Sequence, residues 1–142
     1  MRRAVGLAAT IALLLLAPAA RAESWQLEGP QWVQLNECTG TTAGVRASQP
    51  GDERGRPMFT RFSYQWRTAA GAWPAVPGAG SPWLAAGPGP WLSRETGWTQ
   101  TFASGAGTHV RGVVEMQWRS ASGAVLRSRS LVTPGTCVLR AG

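Results

Sequence analysis

The sequence predicts an all-β fold: a single antiparallel two-sheet β-sandwich, preceded by a cleavable export signal. Three observations point there. Residues 58–67 and 110–119 alternate apolar and polar side chains with period two, and no stretch of the mature chain shows a 3.6-residue period. The only two cysteines, Cys38 and Cys137, bracket nearly the whole domain.

The elements follow in chain order. Met1, Arg2 and Arg3 form a short positive segment, Ala4 to Ala17 is apolar, and Ala20-Arg21-Ala22 supplies small residues at a cleavage site. Residues 1–22 therefore read as a secretory signal, too short in its apolar run to span a bilayer as a helix. The mature chain, residues 23–142, is expected to be one domain with no transmembrane segment. It carries eleven Arg, no Lys and seven acids, a net charge of +4, and it contains no Ile but keeps all eight Trp. Such a composition excludes a coiled coil and a Rossmann-type enzyme, and leaves aromatic residues to build the core.

Trp32 to Cys38 reads as an early strand, Gly44 to Ser48 as a short one, and 49–57 as a polar turn-forming loop. In the next strand Met58, Phe62, Tyr64 and Trp66 face one way and Arg61, Ser63, Gln65 and Arg67 the other. Gly71 to Pro90 holds ten Gly or Pro in twenty residues and reads as a long loop, running on to about residue 96 and carrying Trp73, Trp83 and Trp91. Gly97 to Ser104 is a further strand. Val110, Val114, Met116 and Trp118 then form an apolar face opposite Arg111, Glu115, Gln117 and Arg119. Val125 to Thr133 returns as its partner, and Thr136 to Arg140 closes the chain. Tyr64 to Trp73 also matches Met116 to Val125 at six of ten positions, which predicts two similar hairpins.

Short strands, no helix and a Trp-bearing third strand resemble an immunoglobulin-like or fibronectin type III-like sandwich. The resemblance implies a core position for Trp66 and a penultimate strand at 110–119. The cystine departs from the antibody pattern, because Met116 and Trp118 stand where that family's second Cys would be. An exported chain meets oxidising conditions, so Cys38 and Cys137 are expected to pair and to fasten the terminal strands. Closing so long a loop is worth about 4–5 kcal/mol on the chain-entropy model.

For chemistry the sequence offers little. His109 is the only histidine, Ser104 lies in a Gly-rich turn, and the seven acids are scattered, so no catalytic residues, metal site or cofactor are expected. Two features suit binding instead. Trp73, Trp83 and Trp91 would stack on sugar rings if their faces were exposed. Arg61, Arg67, Arg111, Arg119, Arg127 and Arg129 would form a basic sheet face for an anionic polymer. The expectation is a secreted, non-catalytic binding or structural domain of the cell exterior. Its partner would be a polysaccharide or another extracellular protein, the latter including an inhibitor role for the 71–90 loop. Nucleic acid is not expected without a reading motif.

Overall fold

A computed structural model describes residues 27–88 and 93–141, all of it strand and connection. The strands are β1 (Leu27–Glu28), β2 (Trp32–Thr39), β3 (Thr42–Gln49), β4 (Gly51–Asp52), β5 (Pro57–Trp66) and β6 (Ala75–Gly80). They continue with β7 (Leu84–Pro88), β8 (Arg94–Thr101), β9 (His109–Arg119), β10 (Val125–Val132) and β11 (Cys137–Val138). The proposed export signal and Trp91 lie outside the described residues.

Two antiparallel sheets pack face to face, with a β1–β4 pair beside them. The smaller sheet runs β2-β3-β8. The larger runs β10-β9-β5-β6, with β11 added to β9 and β7 to β5. At its centre β5 and β9 pair over nine positions, from Met58 opposite Trp118 to Trp66 opposite Val110. Strict alternation lets this pair serve two environments. Met58, Phe62, Tyr64, Val114, Met116 and Trp118 are buried against Val33, Ala43, Val45 and Ala47 of the smaller sheet. Gly112 also faces that sheet. A Cβ there would meet Val45 Cγ2 at 2.5 Å, so glycine is what allows the sheets to close.

Polar groups tie the layers together. The Tyr64 hydroxyl lies 3.1 Å from Ala43 O on β3 and 3.0 Å from Trp98 O on β8, and so bridges two neighbouring strands of the opposite sheet. Gln49, fully buried, accepts from Thr60 Oγ1 at 2.9 Å and donates to Gln117 O at 3.0 Å. Trp118 buries its indole and donates its N–H to Pro50 O at 3.0 Å. Cys38 on β2 and Cys137 on β11 form the disulfide, with 5.5 Å between their Cα atoms, and so join the edges of the two sheets.

The hairpin resemblance reaches further than ten residues. In one turn Thr68 N–H donates to Ala72 O and Gly71 N–H to Thr68 O; in the other Ser120 N–H donates to Ala124 O and Gly123 N–H to Ser120 O. Gly71 and Gly123 adopt φ of 85° and 90°, which an L-residue resists, so each closes a three-residue loop of the same type. After each hairpin the edge strand ends in a hydroxyl residue followed by proline. Phe62 N–H donates to Ser81 Oγ, while Ser81 N–H donates to Phe62 O. Gly112 N–H donates to Thr133 Oγ1, while Thr133 N–H donates to Gly112 O. Pro82 and Pro134 then break the ladder, having no N–H to give it. A short strand, β7 or β11, returns to the beginning of the same central strand.

Two expectations are corrected. Residues 71–88, the described part of the expected 71–90 loop, are not one long loop, because β6 and β7 within them pair with β5 and make one edge of the larger sheet. Gly and Pro are tolerated there because an edge strand needs only one set of backbone bonds. Trp66 is 39% exposed and does not fill the core; Trp118 does. The last residue of β5 reaches the end of the sandwich, where it walls a cleft of about 170 Å³ with Val76, Phe102, Val110 and Leu139.

Tyr64 is the single tyrosine of the chain, and burial, followed by the nearby charge of Glu37, raises its phenol well above the ordinary value. The folded state holds this proton more tightly than the unfolded chain. The stability it contributes is therefore full below the ordinary tyrosine pKa of about 10 and is lost as pH rises above it. In an alkaline absorbance titration the tyrosinate signal is expected to appear only together with unfolding. Tyr64→Phe should cost about 1–2 kcal/mol at neutral pH and flatten the alkaline loss of stability. A tyrosinate band rising near pH 10 in a still-folded protein contradicts this placement.

Candidate functional site: an arginine–aromatic face

The outward positions of β5 and β9 interlock in register: Phe59 opposite Gln117, Arg61 opposite Glu115, Ser63 opposite Val113 and Gln65 opposite Arg111. Two tryptophans from the β5–β6–β7 edge fold over this surface. Trp73 follows the β5–β6 turn, and its ring lies under the Arg111 guanidinium at 4.3 Å. Trp83 follows the Ser81-Pro82 break, with the guanidinium of Arg61 4.6 Å and that of Arg119 5.0 Å from its ring centre. Arg119 also lies 4.1 Å from the centre of the Phe59 ring.

Trp73 and Trp83 of the anticipated platform and Arg61, Arg111 and Arg119 of the anticipated basic face thus lie on one surface. Each guanidinium is held from a second direction. Arg111 Nε donates to Gln65 Oε1 and Arg119 Nε to Gln117 Oε1, each at 2.9 Å, while Arg61 Nε donates to Glu115 Oε2 at 2.6 Å. Stacking fixes the planar fork while its remaining N–H groups stay available, which a lysine would not permit. Trp73 and Trp83 are half-buried, and guanidinium groups cover part of the ring surface that stacking on a sugar would need open.

Arg67, exposed beyond the end of β5, continues the outward alternation, and its backbone N–H donates to His109 O at 2.9 Å. Arg127 and Arg129 do not join this face. The ladder between β9 and β10 slips between Val125 and Arg127, so Arg127 stands opposite Trp118 and Arg129 opposite Met116, both inward positions. One extra residue reverses which side every later side chain takes. Arg129 donates instead to Gln31 Oε1 at 2.6 Å, at the margin of the core, and Arg127 lies 5.7 Å from the Trp118 ring centre. Burial, then the charge of Arg129, lowers the Arg127 pKa from its ordinary value.

Sequence reasoning missed Phe59, which sits on the polar side of the β5 alternation; its break in that pattern was the available signal. It also missed Glu115 as the partner of Arg61, since only the register reveals that pair. His109 Nδ1 lies 3.2 Å from Thr136 Oγ1, and Ser104 lines the cleft beside Trp66. Among the described residues no group of three His, Cys, Asp or Glu is placed to hold a metal ion. Comparison with family models, curated proteins and solved structures finds no match to this chain.

Trp83→Ala removes the ring shared by Arg61 and Arg119 and should lower the unfolding free energy by about 1–2 kcal/mol. The side-chain NMR resonances of both arginines should lose their ring-current displacement. Arg67→Ala, at an exposed site, should stay within about 0.5 kcal/mol of the parent. Equal effects of the two substitutions contradict the stacking.

Proposed function

We propose that this chain is an exported, non-catalytic domain of immunoglobulin-like or fibronectin type III-like kind. It acts on the cell exterior by binding through the outer face of its larger sheet. The observation that carries the reading is the convergence of Arg61, Arg111, Arg119, Phe59, Trp73 and Trp83 on one outward surface. Core packing does not require cations and aromatic rings to be gathered there, whereas recognition surfaces are enriched in Arg and Trp.

Other features support parts of the reading. The strand order, β2-β3-β8 against β10-β9-β5-β6, suits an immunoglobulin-type sandwich in which the fourth strand of the larger sheet extends its edge. A disulfide is compatible with an oxidising compartment. Among the described residues no helix is long and apolar enough to cross a membrane. The Trp residues favour a polysaccharide or other envelope polymer as the partner. The inhibitor reading is the less favoured, because β6 and β7, which make up much of the 71–90 segment, are bonded to β5 at the sheet edge.

The test is retention of oxidised residues 23–142 on cell-envelope material and insoluble polysaccharides. Arg111→Gln and Trp83→Ala should each reduce retention about tenfold, in line with a loss near 1.4 kcal/mol. Arg46→Gln, on the opposite sheet and paired there with Glu95, serves as the control and should be retained like the parent. If all three behave alike, the contact surface lies elsewhere.

A further inference from the structure

We infer that the ligand of this face is a linear acidic polysaccharide, bearing carboxylate or sulfate groups, and that Glu115 is a built-in competitor for it. This rests on the outer face being the contact surface and adds the chemistry of what it contacts.

Charge comes first. The face carries Arg61, Arg67, Arg111 and Arg119, and Glu115 is the one acidic residue on any strand of the larger sheet among the described residues. Geometry narrows the class. Arg111 and Arg119 stand eight residues apart on β9, about 26 Å at roughly 3.3 Å per residue, with the Glu115–Arg61 pair midway. That is a strip of cationic points along the β5–β9 pair, which suits an extended chain with repeating negative groups. Among the described residues the terminal nitrogens of Arg111 and Arg119 have no hydrogen-bond partner, because Gln65 and Gln117 engage only the Nε atoms. Each leaves a fork suited to bidentate contact with a carboxylate or sulfate. The rings beneath hold the forks in place before the ligand arrives, which lowers the ordering cost of binding. Trp73 and Trp83 also interleave apolar surface with the cations, as a chain of sugar rings alternating with acidic groups demands.

Glu115 occupies the fork of Arg61 in the position a ligand carboxylate would take. Both side chains of the pair are partly exposed, at 43% and 39%, so solvent screens the pair and it is open to exchange. Removing the carboxylate frees the third guanidinium and deletes the one like charge that repels the ligand. Glu115→Gln is therefore a gain-of-affinity substitution.

The experiment is titration of oxidised residues 23–142 with heparin fragments and with polygalacturonate, following Trp fluorescence. Neutral dextran, phosphatidylglycerol vesicles and a single-stranded oligonucleotide are run in parallel. The acidic glycans should bind, with affinity falling steeply as salt rises. Arg111→Gln and Arg119→Gln should each weaken binding about fivefold to tenfold, and Glu115→Gln should tighten it about threefold to tenfold. The double variant Arg61→Gln/Glu115→Gln should lose that gain, with thermal melting confirming that each variant folds. A Glu115→Gln affinity equal to or below the parent's, in a folded protein, overturns the competitor role. Tighter binding to vesicles or oligonucleotide than to either glycan overturns the ligand class. So does binding to neutral polysaccharide alone, an outcome that leaves the contact surface itself standing if Trp83→Ala still weakens it about tenfold.

Discussion

The pairing of β5 with β9 is the constraint on which the rest of the molecule depends. Nine consecutive cross-strand positions fix the register, and with it the side of the sheet on which every residue of both strands stands. Inward, that register delivers Phe62, Tyr64, Val114, Met116 and Trp118 to the interface between the sheets. Outward, it sets Arg61 against Glu115 and Gln65 against Arg111. A slip of one residue would exchange the two sets, placing arginines in the core and aromatic side chains in water. Core stability and the arginine face are consequences of the same hydrogen-bond ladder.

Around that pair the larger sheet is assembled from two units of like construction, 52 residues apart. Each is a central strand, a three-residue turn, a returning edge strand, a hydroxyl–proline break and a short strand that doubles back. The breaks have different uses. In the first unit, Ser81-Pro82 turns the chain so that Trp83 lies over the sheet and meets two guanidinium groups. In the second, Thr133-Pro134 leads into Cys137, which reaches across to Cys38 and staples the sheets together. One unit thus contributes to the surface and the other to closure.

Much of this was legible in the residues. The alternation of β5 and β9 marked both strands and their wet faces, the two cysteines implied their bond, and the matching hairpins appeared as a repeated phrase. What escaped depended on features that alternation does not encode. The β9–β10 bulge is a single-residue event with no compositional mark, yet it carries Arg127 and Arg129 to the opposite face. β6 and β7 were hidden because Gly and Pro signal loops, whereas an edge strand bonded on one side tolerates them. Trp66 and Trp118 occupy equivalent places in the repeat, yet Trp118 is buried with its indole N–H bonded to Pro50 O, while Trp66 at the end of β5 stays 39% exposed. Cation–ring contacts between residues remote in sequence follow from register, so the arginines and tryptophans were seen separately but not as one surface.

Hydrogen exchange followed residue by residue tests the primacy of the β5–β9 pair most directly. The amides of β5 from Phe59 to Tyr64 and of β9 from Gly112 to Gln117 should exchange only through global unfolding. Those of the β10 edge and the smaller sheet should open sooner, through smaller fluctuations. If β3 amides outlast those of β5 and β9, the smaller sheet organises the fold and the β5–β9 ladder is a consequence of it rather than its cause.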